Sequence, residues 1–317
     1  MHQAVTPVGS SARLSLSVLA AFAGIYIIWG TTYLAIAFAV HTMPPFISGV
    51  ARFAIAGLLM YAWLRTRNPH PFAGVNVPMM ALTGVLLSGI GNGFVLWAQQ
   101  GIPSGIAALI VASVPVLVLI FDWAFFSKRA PTKQALFGIA VAIAGVATIV
   151  MHTRTLSGNA QPMYVLAMLV ATTGWSIGTL VQKRSATQAT VLSFTCGQML
   201  FGAAAQLLLS LVTGEWSRFD PAAISWQGMV AIAYLVVFGS IIGLNCYLWL
   251  LTRVAAPKVA TYALVNPVVA LVLGAAVLGE RVTLLAMVAA VLVLVGVALI
   301  VFQDLPVMRA LSARLRR

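Results

Sequence analysis

The chain has 317 residues, 62% hydrophobic and 7% charged, with a mean hydropathy of +1.03 and 18 basic against 5 acidic side chains, a formal net charge of +13. An average soluble domain is about 25% charged, and so few ionised groups cannot clothe a globule of this size in a polar shell. Lipid is therefore the solvent for most of the chain, and the positive charge has two competing explanations, nucleic acid or membrane topology.

Residues 1–17 form a cytoplasmic N-terminal segment with Arg13 and several serines, without the layout of a cleavable signal. Ten apolar stretches follow, at 18–40, 45–64, 77–98, 104–126, 133–151, 162–182, 190–212, 227–251, 257–278 and 283–302. Each is close to the roughly 20 residues that a helix needs to cross a bilayer core. Turn and breaker residues separate them: Pro44-Pro45, Asn68-Pro69, Pro103, Pro131, Gly158-Asn159, Gly214, Pro257 and Gly279. Every linker is short, so no soluble domain is inserted, and residues 303–317 form a basic cytoplasmic tail.

Basic residues counted by alternate loops decide the orientation. One side holds Arg13, Arg65, Arg67, Lys128, Arg129, Lys133, Lys183, Arg184, Arg253, Lys258, Arg309, Arg314, Arg316 and Arg317, 14 in all, and the other holds 3, Arg154, Arg218 and Arg281. That asymmetry predicts both termini in the cytoplasm. It also explains the net charge without nucleic acid.

The two halves match. At an offset of 146, Trp29 falls on Trp175 and Arg52 on Gln198; at 152, Gly91 falls on Gly243, Trp97 on Trp249, Pro115 on Pro267 and Arg129 on Arg281. The offset changes between the second and third spans of each half, where the second copy has a longer loop around Glu215, Trp216 and Asp220. Since each half has five spans, an odd number, Arg129 and its mate Arg281 lie on opposite sides, and the copies cross the membrane in opposite senses. The expected fold is an all-α integral membrane protein of ten transmembrane helices, built as two five-helix inverted-topology repeats over 18–151 and 162–302. Such repeats characterise secondary transporters, with the substrate site near the midplane where the halves meet.

The run Asn266-Pro267-Val268 through Leu278-Gly279-Glu280-Arg281-Val282-Thr283 to Gly296-Val297 resembles the ninth and tenth helices of the drug/metabolite transporter superfamily, EamA branch. Trp29-Gly30, Arg52-Phe53 and Val114-Pro115-Val116 resemble the corresponding positions of the first half. The resemblance covers about 18–302 and is greatest to bacterial exporters of aromatic and other amino acids of the YddG type. It implies a multi-pass carrier of the bacterial inner membrane that exports amino acids, with lipid as its other partner and a monomer sufficient. Ser127-Lys128 stands in the first copy where the second has Gly279-Glu280, so the acidic form of that motif occurs once.

The chemistry available is mostly neutral. Glu215, Asp220, Glu280 and Asp304 fall in loops or the tail, and Asp122 lies near a span end, within reach of Lys128 or Arg129. No carboxylate is expected at the midplane, where proton relays usually keep one, so transport is expected to follow the substrate gradient. Asp122 reads as an interfacial partner of Lys128 or Arg129 rather than a coupling acid. Arg52 lies about 10 Å deep by helical rise and must face protein or water; it either attracts a carboxylate in transit, satisfies backbone carbonyls or snorkels outward.

Tyr26, Trp29 and Tyr33 recur at helical spacing in the first span, as do Thr172, Trp175 and Thr179 in the sixth. Ser88 and Asn92 share a stripe of the third span beside Gly89, Gly93 and Trp97; Asn245 and Trp249 lie in the eighth, and Tyr262 and Asn266 in the ninth. Trp63 and Trp226 read as interfacial anchors. Trp29 and Trp175 lie too deep for that and either pack with bonded indole N–H groups or line a cavity. An aromatic cavity with a few hydrogen-bonding groups suits a zwitterion, its ammonium over ring faces and its carboxylate on neutral donors. Pro115 and Pro267 each remove an N–H, from the carbonyls of Val111 and Ala263, and predict paired kinks with a possible gating role.

No metal-ligand spacing or cofactor motif is present. Cys196 and Cys246 read as buried thiols, and His41, His70 and His152 share no ligand spacing. With no paired carboxylates, histidine cluster or nucleophile beside a base within the spans, an integral membrane enzyme is disfavoured. Other amphipathic metabolites or drugs are the alternative cargo.

Overall fold

The computed structural model describes residues 16–128, 130–151, 162–185, 190–254 and 259–302, and among them every regular element is helical. Among the described residues there are ten apolar helical segments: α1 Leu16–Thr42, α2 Pro45–Arg67, α3 Val77–Ala98, α4 Ser104–Ser127, α5 Lys133–Met151, α6 Pro162–Ser185, α7 Val191–Val212, α8 Trp226–Leu251, α9 Tyr262–Leu278 and α10 Leu284–Val301. Nine of these are long and apolar enough to cross a bilayer, and α9 is a shorter apolar helix of 17 residues. Arg13, Arg129, His152, Arg154, Gly158-Asn159, Pro257, Lys258, Asp304 and the basic tail lie outside the described residues.

Local sequence explains the helix ends. Asn76, Ser225 and Thr283 cap α3, α8 and α10 by accepting from the N–H groups of Met79, Gly228 and Ala286, each at 3.1 Å. Gly214 and Gly279 turn the chain after α7 and α9 with φ of 67°, a conformation that glycine adopts without strain. Large apolar side chains such as Phe125, Leu208, Val212 and Leu284 point outward, as a lipid-facing surface requires.

The packing follows the repeat. With α1–α5 mated to α6–α10, the helix contacts map onto one another: α1 packs on α8 and α9, and its mate α6 on α3 and α4. Likewise α2 packs on α8 and α7 on α3, while α2–α7, α4–α9 and α5–α10 pair mate with mate. Small residues bring the last pair together. A Cβ at Gly138 would lie 2.7 Å from the Gly296 carbonyl, and one at Gly296 would lie 2.5 Å from the Ala142 nitrogen, so a larger residue at either would push the helices apart.

Two expectations concern α4. At Pro115 the hydrogen-bond ladder of α4 is interrupted at Ala112–Ser113, both still in the right-handed helical region, and Pro115 lies in the first turn beyond, where its missing N–H costs least. Pro267 stays inside α9. Asp122 pairs with Arg184 of α6, at 3.4 Å, and not with Lys128, which turns its ammonium to the Ala124 carbonyl at 2.7 Å, while Arg129, the other expected partner, lies outside the described residues. The cause is local. Residues 122–127 form a π-helical turn that ends with Lys128 in the left-handed region (φ 56°), which turns the chain away from the acid.

Two further π-helical segments are mates: Gly84–Gly91 in α3 and Leu235–Ile242 in α8. Such turns are rare and concentrate at functional sites.

Candidate transport pathway

The mid-depth aromatic residues meet at one point. Trp29 of α1 has its ring centroid 5.8 Å from Trp175 of α6, 5.1 Å from Tyr247 of α8 and 5.1 Å from Tyr262 of α9, and the two tyrosines are 5.8 Å apart. Most of these contacts are edge-to-face, the favourable arrangement of ring quadrupoles. Glycines admit the indoles: a Cβ at Gly243 would lie 2.5 Å from Nε1 of Trp29, and one at its mate Gly91 would lie 3.2 Å from Trp175. Each tryptophan thus rests on the glycine of the other half. The Trp29 indole donates to the Gly239 carbonyl at 3.3 Å, inside the α8 π segment. The Trp175 indole N–H approaches the Tyr262 hydroxyl without completing a hydrogen bond.

This layer separates two cavities. One, of about 60 Å³, lies toward the face opposite the chain ends and is lined by Trp29, Thr32, Tyr33, Arg52, Asn92 and Asn266 among others, with Val111, whose carbonyl has lost its N–H partner to Pro115. The other, of about 180 Å³, lies toward the face of the chain ends and includes Pro115, Asp122, Thr179, Lys183 and Tyr247. Tyr262 lines both. Asn266 is oriented by its neighbours: with its amide nitrogen turned inward it donates to the carbonyls of Tyr26 (3.1 Å) and Tyr262 (3.2 Å), pinning α9 to α1, and not to Ala263 below Pro267.

Arg52 neither snorkels nor caps backbone carbonyls. It is 3% exposed, its Nε donates to Ser240 Oγ at 2.8 Å, its Nη1 to Asn92 Oδ1 at 3.2 Å, and its guanidinium lies 4.6 Å from the Phe53 ring centroid.

Several expected lining residues lie elsewhere. Tyr26 bonds Thr261 Oγ1 at 2.5 Å and packs on Phe22. Ser88 is buried between α3 and α7, where Gln198 donates to its hydroxyl at 3.4 Å and Gln206 to its carbonyl at 2.6 Å. Thr172 turns back to the Leu169 carbonyl. Trp97 packs on Tyr164 at 5.0 Å. Asn245 and Trp249 line a wider groove of about 650 Å³ with Ser17 and Arg253, near the face of the chain ends. For Ser88, Trp97, Asn245 and Trp249 the physical reason is the π turn in α3 or its mate in α8, within or beyond which each lies and which shifts the helix faces; Tyr26 and Thr172, on the regular helices α1 and α6, are held by their own hydrogen bonds to Thr261 and Leu169. Tyr247 was not singled out from the sequence. Its position one turn beyond Gly243 is the signal that would have found it, once the π turn is known.

Two five-helix repeats of opposite sense, meeting at an aromatic layer with a cavity on each side, define a membrane transporter. The EamA-like transporter family profile matches residues 16–151 and again 162–302, and the chain belongs to that family. Among its relatives, "Uncharacterized inner membrane transporter YedA" of Escherichia coli (strain K12) is 36% identical over 272 residues, 84% of this chain and 85% of its own. "Protein PagO" of Salmonella typhimurium is 27% identical over 299 residues, 93% and 96% of the two chains. "Probable amino-acid metabolite efflux pump" of Escherichia coli (strain K12) is 26% identical over 297 residues, 88% and 92%. A solved crystal structure shares the fold with a TM-score of 0.62 at 19% identity, covering 93% of this chain and 98% of its own.

Proposed function

We propose that this transporter exports amino acids, the aromatic and hydrophobic ones among them, across the bacterial inner membrane by alternating access, with both termini in the cytoplasm. The observation that carries the reading is the aromatic layer of Trp29, Trp175, Tyr247 and Tyr262 between two cavities at the junction of the repeats. Ring faces and a few neutral hydrogen-bonding groups offer an amphipathic zwitterion both of its surfaces. A relative's printed name, that of an amino-acid metabolite efflux pump, supports the same cargo class.

Substrate is expected to move down its own gradient. Each described carboxylate has another partner: Asp122 pairs with Arg184, Asp220 caps its own turn, and Glu215 and Glu280 cap helices at the face opposite the chain ends. The test is counterflow of labelled amino acids in proteoliposomes, with and without a pH gradient. Saturable flux of several apolar amino acids without a gradient is expected. No amino acid flux, with flux of other amphipathic compounds, would move the cargo to the alternative class, and an absolute requirement for the gradient would refute the uncoupled mechanism.

A further inference from the structure

The structure assigns to Arg52 the site that holds a carboxylate of the transported molecule, with the guanidinium as the only cation on the wall of its cavity among the described residues. This inference rests on the transport reading above and goes further, because it makes an acid group on the cargo a requirement. A guanidinium stays charged in a protein, and a buried ion without a counter-ion costs several kcal/mol even after relaxation. The Ser240 hydroxyl and the Asn92 carbonyl oxygen hold Arg52 in place but carry no charge. Every described carboxylate is committed elsewhere: Asp122 to Arg184, Asp220 to the Ala222 N–H, Glu215 to the start of α2 and Glu280 to the start of α4. The charge that balances Arg52 is therefore expected from the contents of the cavity.

The repeat supplies an internal control. Gln198, the mate of Arg52, donates to Ser88 Oγ at 3.4 Å, and Ser88 is the mate of Ser240. In both halves the second helix thus reaches a serine in the π turn of the opposite half. A neutral amide makes that link in one copy, so the link does not need a charge, and the positive charge of the other copy is surplus to the scaffold. Only the charged copy faces the cavity. Glycine keeps space beside it: a Cβ at Gly239 would stand 3.2 Å from Arg52 Nη2. One cation beside Trp29 and Tyr262 fits a singly charged carboxylate on an apolar body, and a phosphate dianion would ask for more positive charge.

Gln198 also indicates the variant to make, since R52Q keeps a donor for Ser240. Binding to the purified full chain would be followed by tryptophan fluorescence, with Trp29 and Trp175 as reporters, for four probes: phenylalanine, phenylalanine amide, phenethylamine and 3-phenylpropionate. The wild type is expected to prefer the two acids over the amide and the amine by on the order of tenfold or more. R52Q is expected to lose that preference and R52K to keep the preference at lower affinity. The acid-to-amide comparison within the wild type remains decisive if R52Q does not fold. Equal affinity of the wild type for acid and amide, unchanged phenylalanine affinity in folded R52Q, or binding of neither acid would overturn the assignment. Binding of 3-phenylpropionate without phenylalanine would refute the amino acid reading and leave the carboxylate site standing.

Discussion

Glu280 holds two segments that are distant in sequence, and its removal has a calculable consequence. Oε1 accepts from the Ser104 N–H at 2.7 Å, and Oε2 accepts from the Ser104 hydroxyl at 3.0 Å and the Gly105 N–H at 3.3 Å. These amides open α4 and have no acceptor within the helix, and Ser104 is 1% exposed. Glu280 itself is held by its own N–H bond to the Gly274 carbonyl at 3.0 Å, across the left-handed Gly279. A hydrogen bond to a charged group is worth about 1.5–3 kcal/mol, and a carboxylate at a helix N-terminus adds a few tenths to 1. The three bonds share one group at a face that water can reach, so E280A is expected to lose about 3 kcal/mol rather than their sum. Thermal unfolding in detergent should fall by about 5 °C or more, with E280Q, which keeps one acceptor, between the two. The exposed neighbour supplies the control, R281A, which should melt like the wild type. An E280A melting point indistinguishable from wild type would show that the bonds are incidental to the fold.

Glu215 does the same for α2, accepting from the N–H groups of Phe46 (3.2 Å) and Ile47 (2.9 Å) at 2% exposure. Burial raises its carboxyl above the usual range, against the opposing pull of those two bonds and of Arg218. A carboxyl with a raised folded pKa contributes stability that is present at low pH and lost as pH rises through the raised value. Melting of the wild type should therefore decline over that window relative to E215Q, with E215A lower than both throughout, and a rise in the same window would contradict the assignment. At the aromatic layer, G243A places a Cβ 2.5 Å from Trp29 Nε1 and G91A places one 3.2 Å from Trp175. Overpacking costs about 1–3 kcal/mol, so G243A should reduce transport more than G91A in proteoliposome assays; the reverse order would argue against Trp29 as the centre of the layer.

The fold was legible because its signals are coarse and repeated. Ten apolar runs, punctuated by Pro44-Pro45, Pro103 and Gly279, needed only the thickness of a bilayer to be counted, and the offsets from Trp29 to Trp175 and from Pro115 to Pro267 revealed the duplication. The site was legible in part. Trp29, Trp175, Tyr262 and Asn266 line one cavity, while Tyr26 and Thr172 of the same helices α1 and α6 are held by their own hydrogen bonds to Thr261 and Leu169. Ser88, Trp97, Asn245 and Trp249 do not join them, since each lies within or beyond a π turn that no residue type announces. Lys128 does not meet Asp122 for a related reason, the π turn at 122–127 that ends in the left-handed Lys128. Glu280 carried a visible motif, but the Ser104 amides that it meets are 176 residues away, a pairing that spacing cannot supply.

The departures from symmetry deserve as much weight as the symmetry. An inverted repeat builds two states of similar energy from one pattern, so the differences between mates decide which state is lower. At the face opposite the chain ends, Glu215 and Glu280, both from the second half, tie down the first turns of α2 and α4 of the first half. The first copy has Ser127-Lys128 where an acid would be needed, and Lys128 satisfies its own helix instead. Glu215 and Glu280 thus make two cross-half clamps at one face. Arg52, with Gln198 as its uncharged mate, adds an attractive site on the same side of the aromatic layer. The clamped face is thus also the side on which the cavity with the unbalanced charge lies.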